Sequence, residues 1–284
     1  MNATTADPAT STFALPENVG LTVPAPPLEG AALNPVPRWM DVLREQLTSV
    51  GLGLKREAMV VAGFATLFTG ALVATWSEHG EGMLVKPTQG VAAAVAALLI
   101  PMLVWKGENP ARRGYHHAMP VGHGAHATAK AAAGWAWTMA AVAAFFGWMG
   151  ILAALTGGGV AGAEWWQWVA PFTGATVLYL LGSALTLAMS RPWKWLGAGV
   201  VGYFFIDVFD DANAAQPLAD GANALIGGTY GLNTLLTGLL HNDSWQPDEP
   251  WMTPHAAEWL TATLLWMALA ASLFLWSAWR QPER

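Results

Sequence analysis

The stretch Ala131–Leu155 reads AAAGWAWTMAAVAAFFGWMGILAAL and contains no Lys or Arg. A helix needs about 20 mostly apolar residues to cross the hydrocarbon core of a bilayer. This stretch is long enough, so it makes membrane the expected solvent for the fold. The whole chain agrees. Of its 284 residues, 54% are hydrophobic and only 11% are charged, against roughly 25% charged in an average soluble protein. Five more segments qualify as spans: Ala58–Trp76, Gln89–Trp105, Trp168–Ser190, Trp193–Phe209 and Glu258–Trp279. The second and fifth of the six are short and would stand steeply. None has Lys or Arg in its middle. The expected fold is therefore an all-α polytopic membrane protein with six transmembrane helices over residues 58–284.

The basic residues test that segmentation. Arg38, Arg44, Lys55 and Arg56 precede the first span, and Lys106, Arg112, Arg113 and Lys130 lie between the second and third. Arg191 and Lys194 sit at the junction of the fourth and fifth, and Arg280 and Arg284 follow the sixth. Of the 13 Lys and Arg, only Lys86 falls elsewhere. Cytoplasmic loops carry the excess of Lys and Arg. Six spans with both termini in the cytoplasm reproduce the pattern, and the expected location is the bacterial cytoplasmic (inner) membrane. Residues 210–257 carry Asp210, Asp211, Asp220, Asp243, Asp248 and Glu249 but no Lys or Arg, and read as an acidic outer loop.

Tryptophan marks the ends of the segments at Trp76, Trp105, Trp168, Trp193, Trp195 and Trp279. Indole prefers the headgroup level, with an apolar body and a wet N–H. Trp135, Trp137, Trp148 and Trp266 lie within spans and are expected in helix contacts.

Residues 1–37 are rich in Pro, Ala and Thr and read as a disordered cytoplasmic tail. Within 38–57, Trp39, Leu43, Leu47, Val50 and Leu54 recur at three- and four-residue steps. That spacing predicts an amphipathic helix on the inner leaflet, with a surface helix packed on protein as the alternative. Ala222–Leu240 is leucine-rich but interrupted by Gly227, Gly228, Gly231 and Gly238. A seventh span would put the C-terminus and its arginines outside. A re-entrant or interfacial helical pair on the outer side is expected instead.

Little of the sequence carries recognisable chemistry. The absence of Cys excludes a disulfide scaffold, Cys-ligated metals and a thiol nucleophile. A net charge of −6 argues against a nucleic-acid partner. Gly197-Ala-Gly-Val-Val-Gly202 matches the dinucleotide fingerprint as a string, but no strand precedes it, so it reads as small residues for helix packing. No phosphate-binding loop occurs, so the chain is not expected to be an enzyme, and ATP-driven work would need a partner. All seven His lie outside the spans, which disfavours an axial haem ligand; no cofactor is expected. His116, His117, His123 and His126 cluster between the second and third spans, where Gly122 and Gly124 are expected to break the helix. They read as a polar surface, and no metal is expected. Asp207 is the acid inside a span and a candidate functional group.

The loop between the second and third spans reads Pro110-Ala-Arg-Arg-Gly-Tyr-His-His-Ala-Met-Pro-Val-Gly-His, with Lys130 just before the third span. It resembles the cytoplasmic loop of permease subunits of ABC-type exporters of the type II fold. Met119-Pro120-Val121 stands in the place of that family's "lPv" motif, and Lys130 in that of its helix-opening basic residue. Gly122 and His123 occupy the place of the Arg that follows the motif. The helix over 38–57 is similar to the family's elbow helix. The acidic loop with a short helix pair before the last span is also similar. The resemblance implies a permease homodimer or heterodimer in membrane lipid, with a separate ABC ATPase pressing on residues 111–128. The coupling residues it implies are Arg112, Arg113, Tyr115, His116, His117, Met119, Pro120 and Lys130 within the 106–130 loop. The alternative is a structural or assembly subunit of a larger membrane complex. A third reading, an ion-coupled carrier around Asp207, calls for inverted repeats, and none is visible.

Overall fold

A computed structural model describes residues 38–77, 82–106, 123–189, 191–208, 216–238 and 256–280. The chain is mostly helical. In order, the helices are α1 (Trp39–Ser77), α2 (Gly90–Ala96), α3 (Ile100–Val104), α4 (His123–Leu155), α5 (Trp165–Ala188), α6 (Pro192–Val208), α7 (Gln216–Gly227), α8 (Leu232–Thr237) and α9 (Ala256–Trp279). Among the described residues four stretches are long and apolar enough to cross a membrane: Pro87–Val104, Gly124–Leu155, Trp165–Ala188 and Ala256–Trp279. At 1.5 Å per residue the 17 residues of α6 reach about 25 Å, short of a full hydrocarbon core.

The end of α4 shows how a turn sequence closes a span. Gly157 takes φ 70° after the last helical residue. The Gly158 N–H donates to Ala153 O at 2.8 Å and the Gly157 N–H to Ala154 O, a Schellman cap. The chain then runs straight into a short strand, β2 (Gly159–Val160), which pairs in parallel with β1 (Leu84–Val85). Thr156 Oγ1 accepts the Met83 N–H and ties the cap to that strand. The all-α expectation missed this small sheet. Its pairing fixes the α1–α2 and α4–α5 connections at one end of the bundle, the strand end.

The opposite end gathers the helix termini that carry Lys and Arg. Val50, Val104, Trp105, Ala127, Ala131, Leu187 and Ala278 share one apolar cluster there. The registers between helices agree with alternating crossings. Thr176 of α5 meets Trp135 of α4 and Trp168 of α5 meets Phe146, so these two helices run antiparallel. Trp166 meets Trp259 at the strand end while Leu187 and Ala278 cluster at the basic end, so α5 and α9 run parallel.

The structure corrects several details of the sequence reading. Residues 38–57 and the expected first span form one 39-residue helix, about 58 Å long, with no elbow between them. From Leu43 to Leu54 the apolar stripe packs against the basic-end cluster, so this face is used on protein rather than on the leaflet. Gly124 does not break the helix: α4 starts at His123, two turns before Ala131. The alanine-rich run 125–133 explains this, because alanine has the highest helix propensity. The second span is broken between α2 and α3. Pro101 has no N–H to give Ala97, and residues 98, 99 and 102 bond back by three instead of four.

Candidate functional site

The loop implicated by its resemblance to exporter permeases springs from two well-anchored helix ends. Trp105 closes α3 and is 6% exposed, so it is not in the headgroup belt expected for it. Lys130 of α4 places its Nζ 5.2 Å from the Trp105 ring centroid. Such cation–π contacts contribute about 0.5–2 kcal/mol, more when desolvated. Ala127, Ala131 and Ala133 of α4 are buried in the same apolar cluster as Trp105. The two ends of the loop are thereby joined to each other and to α1. Lys130 lies inside the helix rather than opening it, because α4 begins earlier than the apolar run. Arg112, Arg113, Tyr115, His116, His117, Met119 and Pro120 lie outside the described residues. Asp207 lies in the last turn of α6, and its side chain is likewise outside the description.

The mid-span tryptophans are found in helix contacts, as expected. Each of the four indole N–H groups donates to another element. Trp135 bonds Thr176 Oγ1 at 3.0 Å, Trp137 bonds Leu47 O at 3.0 Å, Trp148 bonds Thr69 Oγ1 at 3.1 Å and Trp266 bonds Tyr230 O at 2.9 Å. Hydrocarbon offers no water to satisfy a donor, so each indole must find an acceptor in the protein. Gly51 makes room for one of them: a Cβ there would lie 2.7 Å from the Trp137 ring.

The helix pair α7–α8 meets the bundle through α8. Leu235 packs with Val177 of α5 and Ala270 of α9, and Leu236 lies on Gly174. Val177 is twelve residues into α5, about 18 Å from its start, so α8 reaches the middle of the bundle. Irregular backbone at that depth must be satisfied by protein. Gly228 O accepts from the Gly231 N–H and from Thr234 Oγ1, and Tyr230 O accepts from Trp266.

Two groups of polar side chains went unremarked in the sequence. Tyr179 and Ser183, one turn apart on α5, are fully buried beside Gly134 and have no hydrogen-bond partner beyond each other among the described residues. The other group sits at the strand end. There Trp166 and Trp259 pack with ring centroids 5.5 Å apart, and Trp166 Nε1 donates to the Glu164 carboxylate. Glu258 Oε2, Trp259 Nε1 and Thr263 Oγ1 are buried without a partner among the described residues. The repeated signal was Glu164-x-Trp166 at the start of α5 and Glu258-Trp259 at the start of α9.

The chain matches no protein-family model, no curated protein and no solved structure.

Proposed function

We propose that the chain is the permease subunit of an ATP-driven export system, forming the translocation pathway with a second permease and driven by a separate ABC ATPase. The observation that carries the reading is the junction of α3 and α4. Lys130 over Trp105 couples the two ends of the 106–130 loop, and both ends rest on α1. A push on such a loop would reach α3 and α4 as rods, because the helix end on each side is packed on protein. The α7–α8 pair between α6 and α9 supports the same reading, since a short helix pair stands there in the resembled family. Exchange of Arg112 and Arg113 to Glu reverses the charge presented to the ATPase. Charge pairs of that kind set register and association rate. The double variant is expected to lose co-purification of the ATPase while keeping its own membrane insertion. Retention of the ATPase at the wild-type level would sink the coupling assignment.

A second reading is favoured by α6. Among the described residues its one sizeable helix contact is with α7, and Gly197, Gly199 and Gly202 have nothing within 4 Å of their Cβ positions. The close packing expected of these glycines is not made within one copy. A structural subunit of a larger complex would supply it from a neighbour. A large co-purifying assembly without a nucleotide-binding subunit would favour this reading over the first.

A further inference from the structure

The second span is two short helices with different neighbours. Helix α2 packs against α4, α5 and α8, whereas α3 packs against α1, α4 and α5. The apolar clusters divide at the same place. Ala94 and Ala97 are buried with Val142, Leu178 and Leu236, while Val104 and Trp105 are buried with Val50, Leu187 and Ala278. Between the two helices the backbone ladder is interrupted. Pro101 has no N–H, so the Ala97 carbonyl loses its donor four residues on. The Met102 N–H that would serve Leu98 O goes to Leu99 O instead, at 3.1 Å. Two successive carbonyls thus lack the usual helical donor. A mid-helix stretch bonded back by three residues is a common mark of a hinge.

We propose that residues 97–101 form a hinge within the membrane, about which α3 swings while α2 stays locked. The seats of the two helices differ in the way this requires. Helix α3 rests on bare backbone. A Cβ at Gly182 of α5 would lie 2.5 Å from Leu98 O and 3.1 Å from Pro101 Cγ, and one at Gly134 of α4 would lie 3.2 Å from Val104 Cγ2. Helix α2 rests on bulky side chains. Its first residue, Gly90, is wedged against Phe146 and Pro171, and Phe146 is stacked on Phe172. Side-chain ridges set in grooves resist rotation, whereas a glycine surface presents no ridge to climb. The break lies ten residues below Pro87, about 15 Å into the span. The use of the hinge rests on the export reading: a displacement of the 106–130 loop enters the membrane along α3 and is taken up at the break.

The chain has no Cys, so pairs of spin labels can be placed in it without background. Helix α9 is continuous over its 24 residues and serves as the common reference. Leu103→Cys with Leu275→Cys reports on α3, and Val95→Cys with Leu265→Cys reports on α2. The distance distribution of each pair is measured by pulsed electron spin resonance on the full chain in lipid nanodiscs. Freezing traps the hinge positions as breadth, so the α3 pair is expected to be about two-fold wider than the α2 pair. Pro101→Ala returns an N–H to Ala97 O. It is expected to narrow the α3 distribution to the width of the α2 distribution and to leave the latter unchanged, which also shows that the variant is folded. Where the α2 distribution changes as well, the wild-type comparison decides by itself. Equal widths in the wild type, or an α3 distribution as wide in a folded Pro101→Ala protein, would overturn the hinge. Neither readout involves the ATPase, so failure of the hinge is distinct from failure of the Arg112 and Arg113 test of coupling.

Discussion

Helices α5 and α6 follow one another in the chain and look alike in sequence, both apolar, glycine-containing and with Trp in the first turn. In the structure they have opposite fates. More than half of α5 is buried, against α2, α3, α4, α8 and α9. Among the described residues helix α6 touches little beyond α7, and its Trp193 and Trp195 stay exposed. Apolar composition places a segment in the membrane, but it does not say whether lipid or protein surrounds it. Lipid tails are as apolar as leucine, so helix association rests on close packing and hydrogen bonds. Helix α5 has both. Gly174 and Gly182 admit Leu236 and the Leu98 carbonyl, and Thr176 accepts the Trp135 indole. The glycines of α6 admit nothing.

The comparison extends to the α7–α8 pair, where α8 belongs to the packed region and α7 to the peripheral one. Leu235 is fully buried between α5 and α9, whereas Leu225 of α7 is 58% exposed. Leu235→Ala is expected to destabilise by about 2–5 kcal/mol, because the deep cavity cannot collapse. Leu225→Ala is expected to stay within about 0.5 kcal/mol. Thermal unfolding in one detergent measures both. Comparable losses would mean that α7 is packed on something in the folded protein.

Glycine gives the next largest contrast. A Cβ at Gly182 would lie 2.5 Å from the Leu98 carbonyl oxygen and 3.1 Å from Pro101 Cγ. Neither neighbour is a flexible side-chain end, so Gly182→Ala must push apart α5 and the broken second span. Such overpacking costs about 1–3 kcal/mol. Gly199→Ala meets open space and should instead stabilise, by up to about 1 kcal/mol, since alanine is the better helix former. A Gly199→Ala protein that is less stable, or that falls to a smaller assembly in solution, would show that α6 is packed against another chain.

How much of this was legible follows from the same physics. Span positions were readable to within a few residues for α5 and α9, because a continuous apolar run has one interpretation in a bilayer. The sparse Lys and Arg mark helix ends whose apolar neighbours the structure brings together in one cluster. The early start of α4 was obscured because glycine was weighed without the alanines around it. The fate of the 38–57 stripe was ambiguous because leucines spaced for a leaflet are equally spaced for a neighbouring helix. The orphan groups at Glu258, Trp259 and Thr263 were invisible for a different reason: only packing decides which polar atoms lose their water.

The smallest expected effect concerns how the turn between α7 and α8 is held. Trp266 of α9 donates to Tyr230 O, a carbonyl in the irregular segment between α7 and α8. Trp266→Phe keeps an aromatic ring but removes the donor. Hydrogen bonds between membrane segments average about 0.6 kcal/mol, with a maximum near 1.7, because the unfolded chain in a membrane also finds partners. The loss here is expected near the average figure, since the bond is an exposed one to non-helical backbone. Trp135→Phe should lose less, because its acceptor, Thr176 Oγ1, keeps its own bond to Phe172 O. The ordering of the two variants in thermal unfolding is the measurement. An equal loss would place the turn of the α7–α8 pair within reach of water, and α8 would then line an aqueous route rather than plug the bundle.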